Sequence, residues 1–193
     1  MAPDERRRAI VEAVVPLLIE LGASVTTRQM AEAAGIAEGT IFNVFPDKHA
    51  LIHEAVRFSM DPAPVERGLA EIHPDASIEV QLAEAARIVL ERMEGAIALL
   101  SALRTMPSLG GRTSGPPPFV LEANAAINKA LTALFERHRG RLRIEPGRAA
   151  AAFRGLIIAS GHPIMSRTER PTVDEIVGVL LSGILDRESE SVG

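Results

Sequence analysis

Side chains that could take part in chemistry concentrate in residues 25–51, VTTRQMAEAAGIAEGTIFNVFPDKHAL. Their hydroxyl, guanidinium, amide and ammonium groups form hydrogen bonds and ion pairs, which is the chemistry of recognition rather than of bond breaking. Throughout the chain, no nucleophile stands out with an ordered base and acid partner, and the carboxylates are scattered at solvent-type positions. We therefore expect no catalytic residues and a protein that is not an enzyme.

Other residue groups favour structural roles over ligand binding. His49 and His53 are spaced i, i+4 and could place two metal ligands on one helix face, but no third ligand is suggested, which favours surface or interdomain contacts. The glycine-rich stretch 110–115 lacks the Lys-Ser/Thr ending and the preceding strand of a phosphate-binding loop. Because cysteine is absent, thiolate zinc sites and disulfides are excluded. The sequence predicts no cofactor and no metal.

The composition is that of an ordinary soluble protein, with 47% apolar and 24% charged residues. No uncharged apolar run is long enough to span a membrane, and the charged N-terminus has no apolar signal-peptide core behind it, which predicts a cytoplasmic location. The formal net charge of −4 argues mildly against nucleic acid, so a DNA partner depends on local charge placement. Few aromatic residues, all six of them Phe, disfavour a stacking platform for single strands.

Nearly every segment has apolar residues at helical spacing, which predicts an all-α fold of about nine helices. Thr26 and Gln29 form a capping-box pattern at the start of one short helix, and a glycine turn separates it from the next. Two such helices behind a longer one are a helix-turn-helix arrangement. The predicted helices span residues 4–21, 27–34, 37–45, 48–60, 77–106, 117–139, 147–166 and 172–188.

A helix-breaking stretch, Asp-Pro-Ala-Pro at 61–64, marks the predicted domain boundary. It divides the chain into an N-terminal helix-turn-helix domain, residues 1–60, and a C-terminal helical domain, residues 61–193. Within the second domain, residues 107–118 are rich in Gly, Pro and Ser and predict a mobile loop.

The stretch 25–51 resembles the DNA-binding domain of the tetracycline-repressor (TetR) family of bacterial transcriptional regulators. The matching features, in order, are a Thr-Thr helix entry, the turn at 31–35, Gly-Thr-Ile-Phe at 39–42, Phe-Pro at 45–46, and Lys48 with Leu51. The resemblance is strong over residues 8–58 and covers only the general layout of a ligand domain beyond them. It implies a homodimeric repressor that a small-molecule effector releases from a palindromic operator in double-stranded DNA.

In this resemblance the second short helix is the recognition helix, which turns its N-terminal end toward base edges in the major groove. Asn43 has the groups to bond adenine, and Val44 can meet a thymine methyl. The family usually has Tyr at Phe42 and Ser at Ala37, and Glu38 brings a negative charge toward phosphates, so modest affinity is expected. The residues expected to contact DNA are Thr27, Arg28, Ala37, Glu38, Gly39, Thr40, Phe42, Asn43, Val44 and Lys48.

Several roles within this domain can be assigned further. The main-chain N–H groups of Gly39 and Thr40 are suited to a phosphate oxygen, and Lys48 is expected to act as a phosphate clamp. The arginines at positions 6–8 favour a solvated helix end over an arm that contacts DNA. A small core that fixes the recognition helix is expected from Leu17, Leu18, Met30, Ile36, Ile41, Phe45 and Leu51.

The last two predicted helices are expected to form the dimer contact as a four-helix bundle with a two-fold axis. The apolar stripe expected there is Val173, Ile176, Val177, Leu180, Leu181, Ile184 and Leu185, with an intramolecular core as the alternative. A pocket for a mostly apolar small molecule is expected from Met93, Ile97, Leu100, Leu103, Arg104, Asn124, Asn128, Phe153, Ile157 and His162. The alternative function is a small helical enzyme or an interaction module that does not bind DNA.

Overall fold

Helices account for nearly all of the chain that the computed structural model describes, which is residues 3–103, 117–161 and 171–184. In these residues there are nine α-helices and no β-strand, which confirms the all-α prediction. The helices are α1 Pro3–Leu21, α2 Thr27–Ala33, α3 Glu38–Val44, α4 Lys48–Ser59, α5 Ala63–Glu71, α6 Ile78–Ala102, α7 Pro118–Glu136, α8 Pro146–Gly161 and α9 Val173–Ile184. Most of the predicted loop at 107–118 lies outside the described residues.

Capping and turn signals place the first four helices where the sequence predicted them. Thr26 and Gln29 form the full capping box of α2, with the Thr26 hydroxyl accepting from the Gln29 N–H at 3.2 Å. The Asp47 carboxylate caps α4 by accepting from the Ala50 N–H at 2.8 Å. Gly22 and Gly35 adopt φ angles of 59° and 65°, which only glycine reaches without strain, and so end α1 and form the turn between α2 and α3.

Helix α5, Ala63–Glu71, was not predicted. Pro62 and Pro64 predict a break in the chain, but proline is accepted in the first helical turn because the N–H groups there have no intrahelical partner. Pro62 is the N-cap residue of α5 and Pro64 lies within its first turn. Val65 and Leu69, one turn apart, are buried and anchor the helix in the core.

The chain divides into two compact units. The first consists of Met1–Asp61 together with Gly95–Val120, and its core confirms the one predicted around the recognition helix. The predicted boundary at 61–64 puts residues 95–120 in the second domain. The structure places the described part of this segment in the first unit, because Leu99 and Leu103 are buried in its core and Phe119 packs against it. The fully buried members of the predicted core are Leu18, Met30, Ile41, Phe45 and Leu51, with Leu17 and Ile36 partly buried against them.

The second unit, Pro62–Glu94 with Leu121–Gly193, has its own core. Phe135 of α7 and Phe153 of α8 meet edge to face there, with ring centroids 5.9 Å apart. The predicted apolar stripe of α9 belongs to this core rather than to an open face, since it is covered within a single chain. Its buried members are Ile176, Val177, Leu180, Leu181 and Ile184, with Val173 partly buried against them. The prediction that these residues form the dimer contact is therefore wrong for the described part of the stripe.

A buried polar cluster fixes the loop before α6 in this unit. The Gln81 side chain is fully buried and donates from Nε2 to the carbonyl oxygens of Pro74 at 2.9 Å and Ala76 at 2.7 Å. Its Oε1 lies 3.2 Å from Nε2 of His138. Burial and the nearby cations Arg141 and Arg137 hold the pKa of His138 below its ordinary value.

Candidate nucleic-acid interface

Helix α3 is held by one face and exposed on the other. Ile41 and the following Phe45 are buried in the core, whereas Glu38, Gly39 and Asn43 are exposed and Phe42 retains 50% of its accessible surface. Thr40 and Val44 are half-buried, and Ala37, the N-cap residue, is exposed. This matches the predicted outward orientation of the helix. The contacts of these residues with DNA stay a prediction.

Two residues predicted to contact DNA are bonded to each other across the turn. The Thr27 hydroxyl, at the start of α2, donates to Oε1 of Glu38, at the start of α3, at 2.6 Å. Thr27 is half-buried and Glu38 is exposed. The sequence analysis treated them as separate contacts, and no short-range pattern links positions eleven residues apart. Nearby, Arg28 donates to Oε1 of Glu32 at 3.0 Å within α2.

One of the two main-chain donors predicted to bind phosphate at the start of α3 is bonded within the protein. The Thr40 N–H donates to the Ala37 carbonyl oxygen at 2.8 Å, because the first turn of this short helix closes with an i to i+3 bond. The Thr40 N–H is therefore engaged within the protein in this conformation, and its contact with a phosphate oxygen stays a prediction. Ala37 makes no side-chain cap, as its methyl group requires.

Arg7 contacts α3 and α4 and so differs from the solvated helix end predicted for residues 6–8. Its Nη1 donates to the carbonyl oxygen of Val44, the last residue of α3, at 3.1 Å, and its Nη2 lies 3.5 Å from the Glu54 carboxylate of α4. The guanidinium also stacks over the Phe45 ring, 4.5 Å from its centroid. The sequence contains one signal of these contacts. Arg7 continues the buried stripe of Val11, Val14 and Leu18 at helical spacing, so it faces the core side of α1.

The N-terminal part of the first unit has fewer basic residues than acidic ones. Residues 1–59 contain six Lys and Arg against eight Asp and Glu. Lys48, half-buried, is the first residue of α4. His53, one of the two histidines weighed as metal ligands, meets the Phe119 ring edge to face at 6.1 Å. Among the described residues, no three acidic or histidine side chains cluster as a metal site would require.

The residues predicted for the ligand pocket are distributed over both units. Phe153 and Ile157 are fully buried in the core of the second unit, whereas Leu100 is exposed in the first. Asn124 is engaged with its neighbour Arg154, which donates to the Asn124 side-chain oxygen at 3.1 Å. Met93, Asn124 and Asn128 are half-buried in the second unit, and Ile97 and Leu103 belong to the first. Arg104 and His162 lie outside the described residues. The pocket stays a prediction.

An open groove on the second unit is separate from these predicted residues. It lies where the turn after α7 leads into α8, and three arginines contribute to it. The groove is lined by Arg139, Leu142, Arg143, Ile144, Glu145, Pro146 and Arg148. Arg139 is held there by bonds to Glu136 and Glu145, and Arg143 donates to the main chain of α9.

The first unit thus has the geometry of a helix-turn-helix domain, with a short helix fixed from behind and exposed in front. Residues 10–55 match the family described as bacterial regulatory proteins, tetR family. A search of curated protein sequences finds no match. In the described parts of the chain, no helix is long and apolar enough to cross a membrane.

Solved structures with the same fold extend the likeness to the whole chain. A TetR-family transcriptional regulator from Mesorhizobium loti MAFF303099 is 20% identical, with a TM-score of 0.72 over 96% of this chain and 100% of its own. A TetR transcriptional regulator from Streptomyces coelicolor is 23% identical, with a TM-score of 0.61 over 94% and 99%. A transcriptional regulator from Saccharomonospora viridis, crystallised in complex with choline, is 20% identical, with a TM-score of 0.65 over 95% and 100%. Residues 10–55 thus match the tetR family of bacterial regulatory proteins, and the chain as a whole has the fold of solved transcriptional regulators of that family.

Proposed function

We propose that the protein is a homodimeric repressor that binds a palindromic operator by placing α3 of each protomer in the major groove. The observation that supports this best is the fixed, outward-facing α3. Its buried residues Ile41 and Phe45 hold the helix, and exposed Asn43 is free to meet base edges. Such a protein acts in the cytoplasm, where the DNA is, and needs no catalytic residue.

Exposed small and apolar residues on α8 and α9 support the homodimer. On α8, Ile158 retains 38% of its accessible surface, and on α9 Val179 retains 67%. Small residues lie near both of them on the exposed helix surfaces and would let a second copy approach closely. These flanking exposed residues are Ala151, Gly155 and Ala159 of α8 and Gly178, Ser182 and Gly183 of α9. Dimeric helix-turn-helix proteins bind half-sites about 34–36 Å apart, one turn of DNA, and the proposed homodimer requires the same spacing.

We also propose that a small-molecule effector releases the protein from its operator. The support is the fold that the chain shares with TetR-family regulators, one of which, from Saccharomonospora viridis, was crystallised in complex with choline. An effector can release DNA only to the extent that it prefers the protein conformation that binds DNA poorly.

Selection of bound fragments from randomised duplex DNA tests the proposal directly. The expected result is a palindrome whose half-sites lie about one helical turn apart. Retention that falls steeply with salt but selects no sequence would leave only non-specific binding and would contradict an operator-specific repressor. Adding candidate effectors to the purified complex then tests release, and an effector that binds tightly without lowering operator affinity would contradict the switch.

A further inference from the structure

Glu38 is a carboxylate on a surface that we propose faces a polyanion. It is the exposed first residue of α3, the short helix that also contains Asn43. A carboxylate repels phosphate oxygens, so it weakens binding to every sequence unless it gains something from the bases. The chemistry of a DNA-facing carboxylate therefore limits which base it can contact.

The Glu38 side chain is also held in place. Its Oε1 accepts the Thr27 hydroxyl at 2.6 Å, a short bond of the kind that a charged acceptor forms. A carboxylate has about four lone-pair sites, so one hydroxyl leaves it able to accept further hydrogen bonds. Because Thr27 belongs to α2 and Glu38 to α3, this bond fixes the carboxylate relative to both helices.

Base chemistry limits what this acceptor can bind in the major groove. Only cytosine N4 and adenine N6 offer donors there, and adenine N6 lies beside N7, an acceptor that repels a carboxylate. Guanine and thymine present acceptors, O6 with N7 and O4 respectively. We propose, on the basis of the function proposed above, that Glu38 reads a cytosine in each operator half-site and that Thr27 is its positioning residue.

The decisive experiment compares base preferences of the wild-type protein and Glu38→Gln on the selected operator. Replacing the cytosine pair by a uracil–adenine pair exchanges the N4 donor for an O4 acceptor without adding a methyl group. It should weaken wild-type binding about 5- to 150-fold. Glu38→Gln should lose this preference and favour adenine at the same position, because an amide bonds adenine N6 and N7 together. It should also bind random DNA more tightly, since a negative charge is removed.

Two further variants separate positioning from charge. Thr27→Val keeps the carboxylate but removes the hydroxyl, and should reduce the cytosine preference without creating one for adenine. Glu20→Gln removes the same charge from an exposed site on α1, and should leave the base preference unchanged. If Glu38→Gln changed affinity for all sequences equally, or the selected half-sites held no cytosine that depends on Glu38, the inference would be overturned while the repressor proposal stood. If the wild-type protein selected no sequence at all, both would fail.

Discussion

Arg7 and Val44 connect the second turn of α1 to the last turn of the recognition helix, through a hydrogen bond of 3.1 Å from the guanidinium to a main-chain carbonyl oxygen. The carbonyl groups at a helix C-terminus have no intrahelical partner, so a cation bonded there satisfies one of them and matches the helix dipole. Arg7 also contacts Phe45 and Glu54, which ties the end of α3 to α4. Its role is therefore to position the helix that we propose reads the operator.

Replacing Arg7 by methionine should lower the free energy of unfolding by about 1–3 kcal/mol, because a charge-assisted hydrogen bond and a cation–π contact are lost. Operator binding should weaken, but the slope of affinity against salt should not change, since Arg7 is bonded within the protein. Urea unfolding and binding titrations at several salt concentrations measure both. Arg6→Met, at an exposed neighbouring site, is the matched control for stability. A salt slope reduced by about one in Arg7→Met would show instead that Arg7 contacts a phosphate.

Substituting Lys48 or Asn43 by alanine should change DNA binding in different ways. Lys48→Ala should weaken binding to all DNA sequences and reduce the salt slope by about one counterion, as expected for a phosphate contact. Asn43→Ala should lose about 1–3 kcal/mol of discrimination at one base position in each half-site, with little change on random DNA. Parallel titrations on operator and random duplexes separate the two effects. Equal losses on both duplexes for Asn43→Ala would show that Asn43 only positions the protein.

Local signals in the sequence were sufficient to place the helix-turn-helix elements. Thr26 with Gln29, and Asp47 with Ala50, satisfy main-chain donors within three residues, so their types alone predict the helix starts. The Thr27–Glu38 bond joins residues of different helices, which no local rule reaches.

The broad apolar face of α9 shows a different limit of sequence reasoning. Residues such as Leu180 and Leu181 show that this face must be covered, but hydrophobicity is not directional and does not identify the covering partner. The structure covers these two leucines within one chain. The exposed apolar residues on which our dimer proposal depends, Ile158 and Val179, were not part of the predicted stripe.

His138 should make the stability of the protein depend on pH below neutrality. Its folded-state pKa is lowered by burial first and then by Arg141 and Arg137, while Glu79 opposes the shift. The unfolded chain therefore binds a proton more readily than the folded one as pH falls through the ordinary histidine value of 6.5. The free energy of unfolding should decrease from about pH 7.5 to about pH 5.5 in the wild-type protein.

The matched variant for this effect is His138→Gln, which keeps a donor near Gln81 but does not titrate. Its free energy of unfolding should depend less on pH over the same interval, as measured by urea unfolding at each pH. The carboxylates of Glu79, Glu136 and Glu175 have pKa values below the ordinary 4.5. Their stabilising contributions are therefore lost mainly below the pH interval in which His138 titrates. An unchanged slope in His138→Gln would assign the pH dependence to another group.

Introducing a charge on the proposed dimer face should separate the protomers. A glutamate at Val179 or Ile158 would be buried without a partner in a two-fold bundle of α8 and α9, whereas it remains solvated in the separate chain because both positions are exposed there. Sedimentation should show a shift from dimer to monomer, and affinity for a palindromic operator should fall by about 100-fold or more, because the second half-site no longer binds intramolecularly. Affinity for a single half-site should change little, since α3 is not touched.

Val80→Glu is the control for that experiment, because the 54% accessibility of Val80 lies between those of Ile158 and Val179, and Val80 is on α6 rather than on the proposed face. It should leave both the mass in solution and operator affinity unchanged. A dimer that persists in Val179→Glu and Ile158→Glu would place the interface elsewhere, because two unpaired carboxylates at the centre of a close helix contact cost more than such an interface can absorb. The distance between the two copies of α3 sets the half-site spacing of the operator. A different symmetry axis would then have to account for the spacing that is selected.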